Sequence, residues 1–160
     1  MHPCLCSHQE CYLMMLRRNN LNMKTVLVFG TFDIIHPGHQ WFLSKASNYG
    51  DRLVAVVSRD SFVQDWKGKA TIKDEKERIR AIEESGMVSQ AVLSDAEIRT
   101  YKIVQEIQPD IICLGHDQKA LLEDLEDWLR RTGESHIKIE ILPPWKRDRY
   151  SSTRRNGQNR

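Results

Sequence analysis

From residue 24 onward, short apolar runs alternate with stretches of mixed polarity. Val26-Leu27-Val28-Phe29 is an unbroken apolar run, and comparable runs define predicted strands over 24–30, 52–58, 90–93, 111–115 and 137–142. Continuous apolar strands of this length are what a sheet covered on both faces requires. Between them, apolar residues recur at helical spacing, as at Trp41, Phe42, Leu43, Ala46 and Tyr49. The predicted helices cover 38–48, 74–85, 100–107 and 119–132. Asp74 is the expected N-cap of the second and Gly86 its stop, while Pro109 and Gly133 close the last two. Strands separated by helices in this order imply βαβ units. The expected fold class is α/β: a single Rossmann-like domain, about five parallel strands with helices on both faces.

Composition adds limits rather than a function. At 160 residues the chain supports one domain with a real core. Hydrophobic residues make 40% and charged residues 29%, ordinary for a protein that folds in water. No apolar run approaches the roughly 18 residues of a membrane span. A net charge of +2 gives the whole chain no general attraction to nucleic acid. The charge is uneven, however. Residues 145–160 hold six Lys/Arg and one Asp, net +5, which leaves −3 for the rest. A basic end beside Ser151, Ser152 and Thr153 suits a polyphosphate; from Arg155 onward a solvated basic tail is the alternative.

Residues 1–22 read as a disordered extension or an upstream start, with the domain proper over 23–160. Cys4, Cys6 and Cys11 cluster there with His2 and His8, at spacings that match no usual zinc pattern. Met23-Lys24-Thr25 resembles a natural beginning just before the first strand. Cys113 falls in a buried strand pattern and reads as a core thiol. Nothing suggests disulfides, in keeping with a reducing compartment and an expected cytoplasmic location.

The segment Gly30-Thr31-Phe32-Asp33-Ile34-Ile35-His36-Pro37-Gly38-His39 carries the most chemistry. It lies where the first strand hands over to a helix, so His36 and His39 share one face of the first helical turn. Pro37 suits a first turn because its missing N–H is not needed there. Gly38 admits close approach of a ligand to the backbone. Two imidazoles at a helix N-terminus make a cradle for an anion, best a phosphate. Zinc is the other reading of paired histidines, but no third ligand stands at metal-site spacing. Three further motifs fall on the same sheet edge: Lys67/Lys69 after strand two, Asp117 after strand four, and Ser151–Arg154 after strand five. Ligands of open parallel sheets bind at that edge. Exposed loop lysines remain the bland reading of Lys67 and Lys69.

These residues resemble the HxGH nucleotidyltransferases, the group that contains glycerol-phosphate and choline-phosphate cytidylyltransferases and the small archaeal-type FAD synthetases. Lys67-Gly68-Lys69 followed by Glu77-Arg78 resembles the family's lysine-bearing loop and next helix. Leu114-Gly115-His116-Asp117-Gln118 resembles its nucleotide-base loop, and Tyr150-Ser151-Ser152-Thr153-Arg154 its late phosphate loop. The resemblance covers about residues 24 to 155. Its Gly-His-Asp-Gln and Tyr-Ser-Ser-Thr-Arg forms resemble the FAD synthetase branch more than the cytidylyltransferases, whose Arg-Thr-x-Gly-Ile-Ser-Thr form is absent. One departure is the end of the chain, Arg155 to Arg160, which lacks the apolar stripe of the family's final helix.

The resemblance implies attack of a phosphate on the α-phosphorus of a nucleoside triphosphate. An ionised phosphate needs no general base, so the demand on the protein is electrostatic. His36 and His39 donate to the phosphoryl oxygens with the helix amides from Gly38 onward, and Lys69, or alternatively Lys67, neutralises the triphosphate. Ser151, Ser152, Thr153 and Arg154, next to Tyr150, hold the outer phosphates. Magnesium accompanies the nucleotide and needs few protein ligands; no metal-binding residues are assigned. Asp33 shapes the loop or approaches the metal, capping being the simpler role. The resemblance further implies that Gly30, Thr31, Phe32 and Pro37 lie along the nucleotide and Asp117 with Gln118 near its base and ribose. ATP and FMN are the expected substrates, with FAD and pyrophosphate as products. Trp66, Trp145 and Tyr150 are candidates for a wall against the flavin. CTP with glycerol 3-phosphate or a related alcohol or sugar phosphate is the sibling reading. A non-catalytic nucleotide-binding module is the third. No nucleic acid or membrane partner is expected, and a homodimer is the assembly the resemblance allows.

Overall fold

The computed structural model describes residues 23–68 and 70–145, without the side chains of Trp66 and Lys67. Five strands form one parallel sheet: β1 (Thr25–Gly30), β2 (Arg52–Val57), β3 (Gln90–Leu93), β4 (Ile111–Gly115) and β5 (Lys138–Leu142). Their order across the sheet is β3-β2-β1-β4-β5. The helices are α1 (Pro37–Ser47), α2 (Asp60–Lys67), α3 (Glu75–Glu84), α4 (Lys102–Ile107) and α5 (Lys119–Thr132). This is the expected Rossmann-like α/β domain.

Alternate residues of each strand feed two cores. Val26, Val28, Ala55, Val57 and Cys113 pack with Leu43 and Ala46 of α1 and Ile82 of α3. Leu27, Val54, Val56, Ile112 and Leu114 pack on the other face with Val104 of α4 and Leu125 and Trp128 of α5. The central strands are therefore apolar throughout, which is why they read as continuous runs. Cys113 is a fully buried thiol. Burial pushes its pKa up to about 12, helped by the negative charge of Glu140.

Local chemistry sets the helix limits. Asp74 caps α3 as expected, in a capping box: its carboxylate accepts from the Glu77 amide at 2.8 Å, and Glu77 accepts from the Asp74 amide at 3.0 Å. Gly133 ends α5 with a positive φ of 77°. Helix α2 was not expected. It is one short stretch, its N-cap Arg59 makes no side-chain cap bond, and among its described side chains Val63 is the buried one. It changes the placement of the lysines: Lys67 is the last residue of α2, and Lys69 follows the helix rather than strand two directly.

The strand order reverses between β1 and β4. β1 pairs with β2 along its full length, from Thr25↔Arg52 to Gly30↔Val57, and Ser58 N–H continues to the Gly30 carbonyl at 3.0 Å. β1 pairs with β4 only over Val26↔Ile111, Leu27↔Ile112 and Val28↔Cys113. Beyond Val28 the two strands part. A crevice at the carboxyl ends of the strands, at the reversal point, is where open α/β sheets take their ligands.

Candidate active site

The turn after β1 and the start of α1 bring both histidines to the mouth of that crevice. Phe32 makes the turn possible in an unusual way. Its φ is 51°, a left-handed conformation rare for a bulky residue, and its ring is buried. The ring folds back over Gly30, where any Cβ would sit 2.6 Å from it. Of the stretch expected to lie along the nucleotide, Phe32 thus turns its ring to the core and leaves its backbone at the crevice.

His36 is the N-cap of α1, with extended backbone, and its Nδ1 accepts from the Gly38 amide at 3.1 Å. A ring nitrogen that accepts carries no proton, so neutral His36 holds its proton on Nε2. The cap consumes the Gly38 N–H, the first of the amides expected to face the anion. It also gives Gly38 a second reason to be glycine, since a Cβ there would meet the His36 ring at 2.8 Å. His39 is set the other way round. Its Nδ1 lies 3.1 Å from the Ile34 carbonyl, an acceptor only, so Nδ1 holds a proton. The two rings stack with centroids 3.9 Å apart, and Phe32 supports His39 from the side at 5.4 Å.

Asp33 takes a structural task. Its two carboxylate oxygens accept the amides of Ile72 at 3.0 Å and Lys73 at 2.9 Å. This ties the segment after α2 to the histidine turn. Partial burial raises the pKa of Asp33; the two amides, with Arg78 and Lys73, outweigh that and hold it below the usual value.

Arg78 of α3, which the sequence offered only as part of the Glu77-Arg78 resemblance, is the hub beneath both segments. It is fully buried. Its guanidinium donates to the carbonyls of Thr31 at 2.8 Å, Ser58 at 2.9 Å and Lys73 at 3.2 Å, and pairs with Asp60. Asp60 accepts the Glu75 amide at 3.1 Å, and Glu75 in turn accepts the Asp60 amide at 2.9 Å. Burial raises the pKa of Asp60, but the Arg78 hydrogen bond leads the effects that bring it below normal. One side chain thus joins the ends of β1 and β2 and the entries to α2 and α3. The sequence signal was an Arg in the first turn of an amphipathic helix, on the side that faces the sheet.

Across the crevice, Asp117 and Gln118 follow β4. Asp117 is exposed. Gln118 is engaged internally: its Oε1 accepts the Gly115 amide at 2.8 Å and its Nε2 donates to the Phe29 carbonyl at 2.9 Å. Lys69, Tyr150, Ser151, Ser152, Thr153 and Arg154 lie outside the described residues, as do residues 1–22. Trp145 is described and half-buried. Among the described residues, no three His, Cys, Asp or Glu gather as a metal-holding group, and no helix is long and apolar enough to cross a membrane.

The family model described as cytidylyltransferase-like matches residues 27–155, from within β1 to beyond the described C-terminal end. The chain belongs to the cytidylyltransferase-like family. Within reach of it are archaeal proteins named FAD synthase. That of Methanothermobacter thermautotrophicus is 46% identical over 69% of this chain and 74% of its own length. That of Methanothermobacter marburgensis is 40% identical over 82% and 81%. A crystal structure of a lipopolysaccharide core biosynthesis protein from Thermoplasma volcanium, 38% identical, superposes with a TM-score of 0.68 over 79% of this chain and all of its own. Pantothenate synthetase from Thermus thermophilus shares the fold alone, at 15% identity and TM-score 0.55, over 75% of this chain and 55% of its own.

Proposed function

We propose that this family member transfers AMP from ATP to FMN, giving FAD and pyrophosphate. The observation that carries the chemistry is the stacked histidine pair at the mouth of the β1/β4 crevice, on a helix N-terminus. The FAD synthase names of relatives at 40–46% identity support the acceptor.

A phosphate oxygen of FMN attacks the α-phosphorus of ATP. The new P–O bond forms as the bond to the bridging oxygen breaks, and pyrophosphate leaves with both electrons of that bond. Negative charge builds on the α-phosphoryl oxygens and the leaving group. His36 donates from Nε2–H. His39, whose Nδ1–H is held by Ile34, donates through Nε2–H as the imidazolium. Lys69 adds a cation. Ser151, Ser152, Thr153 and Arg154 hold the outer phosphates, and Asp117 lies towards the nucleoside. A divalent ion fits this site as cargo of the triphosphate. Magnesium keeps several waters and binds phosphate oxygens with few carboxylates, and Asp33, the nearest carboxylate in sequence, already serves two amides. Bound there, the ion would supply positive charge against the leaving pyrophosphate.

Ile34 and Ile72 give the crevice mouth an apolar surface, 54% and 75% exposed, suited to a flat ring. A chain beginning at Met23 suffices for the activity in this reading. The test is incubation with ATP, FMN and magnesium, followed by chromatography. FAD and pyrophosphate are expected in equal amounts. Turnover of CTP with glycerol phosphate and no FAD would overturn the acceptor and leave the transfer chemistry standing.

A further inference from the structure

The geometry points to Gln118 as a positioning residue that holds the nucleotide crevice open by standing in for a rung of the sheet. Parallel ladders bond every second residue along each strand. Continued two residues past Leu27↔Ile112, the β1/β4 ladder would join Gly115 N–H directly to the Phe29 carbonyl. Those are the two groups that Gln118 serves, at 2.8 and 2.9 Å. The side-chain amide is inserted between them as a spacer, accepting from one strand and donating to the other. Its orientation is fixed by chemistry: only Oε1 can accept the Gly115 amide, and only Nε2 can donate to a carbonyl.

The insertion satisfies two main-chain groups that the parting of the strands would leave unpaired. It also forces β1 and β4 beyond the ~4.8 Å spacing of a direct rung. On the other side of β1 nothing intervenes, and pairing with β2 runs to Gly30↔Val57. The split is therefore local to the strand pair where the order reverses. Only a side chain with one acceptor and one donor at this length fills the role; Glu lacks the donor and Met lacks both. Gln118 acts through the backbone of Phe29 and Gly115 rather than by touching the base.

This inference rests on the proposed nucleotide site, not on the choice of acceptor. The test compares Gln118→Ala and Gln118→Met with the unmodified protein. In Gln118→Ala the direct Gly115-to-Phe29 rung can form, and ATP must break it to enter. The dissociation constant for magnesium ATP, read by calorimetry without acceptor, is expected to rise about tenfold. That for CTP should rise by the same factor, while kcat at saturating ATP stays within about twofold. Gln118→Met keeps the bulk and loses the bonds, and should fall between. NMR contacts between Phe29 and Leu114 should appear in Gln118→Ala whether or not any nucleotide binds. An altered ATP-to-CTP ratio would mean direct base contact and overturn the proposal, as would unchanged affinities or strands that stay parted in Gln118→Ala. FAD formation is assayed separately on the unmodified protein, so its failure reaches only the acceptor.

Discussion

His36 and His39 stack face to face at 3.9 Å, yet their Nδ1 atoms do opposite work. His36 accepts the Gly38 amide, and His39 donates to the Ile34 carbonyl. Each ring is thereby fixed by main chain on its Nδ1 side. Spacing of i and i+3 puts two imidazoles on one helical face; these two bonds fix what the Nδ1 of each ring does.

The pair should separate in mutation. His36→Ala and His39→Ala are each expected to lower kcat by about 10²–10³, the scale for loss of one oxyanion-type donor. His36→Ala also removes a side-chain cap, at about 1 kcal/mol, so its melting temperature should fall by roughly 4 °C. His39→Ala should melt closer to the unmodified protein. Steady-state kinetics with calorimetry check both, and near-normal turnover in either variant would remove its catalytic role.

Arg78→Met should unfold the site floor. It strips the donor from three carbonyls, of Thr31, Ser58 and Lys73, and removes the cation that pairs with Asp60. Buried groups left unsatisfied cost about 1–3 kcal/mol each, so a loss of about 3 kcal/mol or more is expected in urea unfolding. A change below about 1 kcal/mol would show that the hub is replaceable, since that is the net value of one ordinary bond.

Asp33 should show itself in pH dependence. Its pKa is depressed in the folded state, so its contribution is complete above the ordinary carboxylate value of about 3.9 and is lost as pH falls through the depressed value. Asp33→Asn should therefore be less stable than the unmodified protein at pH 7. The gap should close as pH falls below the ordinary value. Urea midpoints across pH 7 to about 2 read this directly; a gap independent of pH would assign the effect to shape rather than charge.

What was legible in the sequence follows from what repeats. Val26–Phe29 and its counterparts are apolar on both faces because both faces are covered, and five parallel strands follow from that. Asp74 was legible as the N-cap of α3, although the reciprocal Glu77 half of its capping box was not read. Helix α2 was illegible because Arg59 offers no cap and, among its described side chains, Val63 is the buried one. The histidines were legible because a strand, a turn and Pro37-Gly38 frame them. Loop shaping by Asp33 was legible as one of its possible roles, but its partners, and the roles of Arg78 and Gln118, were not, because they involve main-chain groups 39 to 89 residues away or, for Arg78, on three separate segments. Such partners are assigned by tertiary packing, and no local pattern records them.

Ile34 and Ile72 offer the sharpest handle on the acceptor. Lone exposed apolar residues are ordinary, but these two sit on segments joined by Asp33, the neighbour of Ile34, through the amide of Ile72 itself. Ile34 also presents its carbonyl to His39. An apolar ring whose phosphate reaches the histidines would pass over this pair. Partial burial of one isoleucine contributes on the order of 1–2 kcal/mol. Ile34→Ser and Ile72→Ser are therefore each expected to raise KM for FMN about tenfold, with KM for ATP and kcat nearly unchanged. Both residues are exposed, so stability should hold, and circular dichroism melts serve as the control. Equal rises in KM for FMN and ATP would mean that the turn as a whole has moved. No rise in either would place the flavin away from this pair.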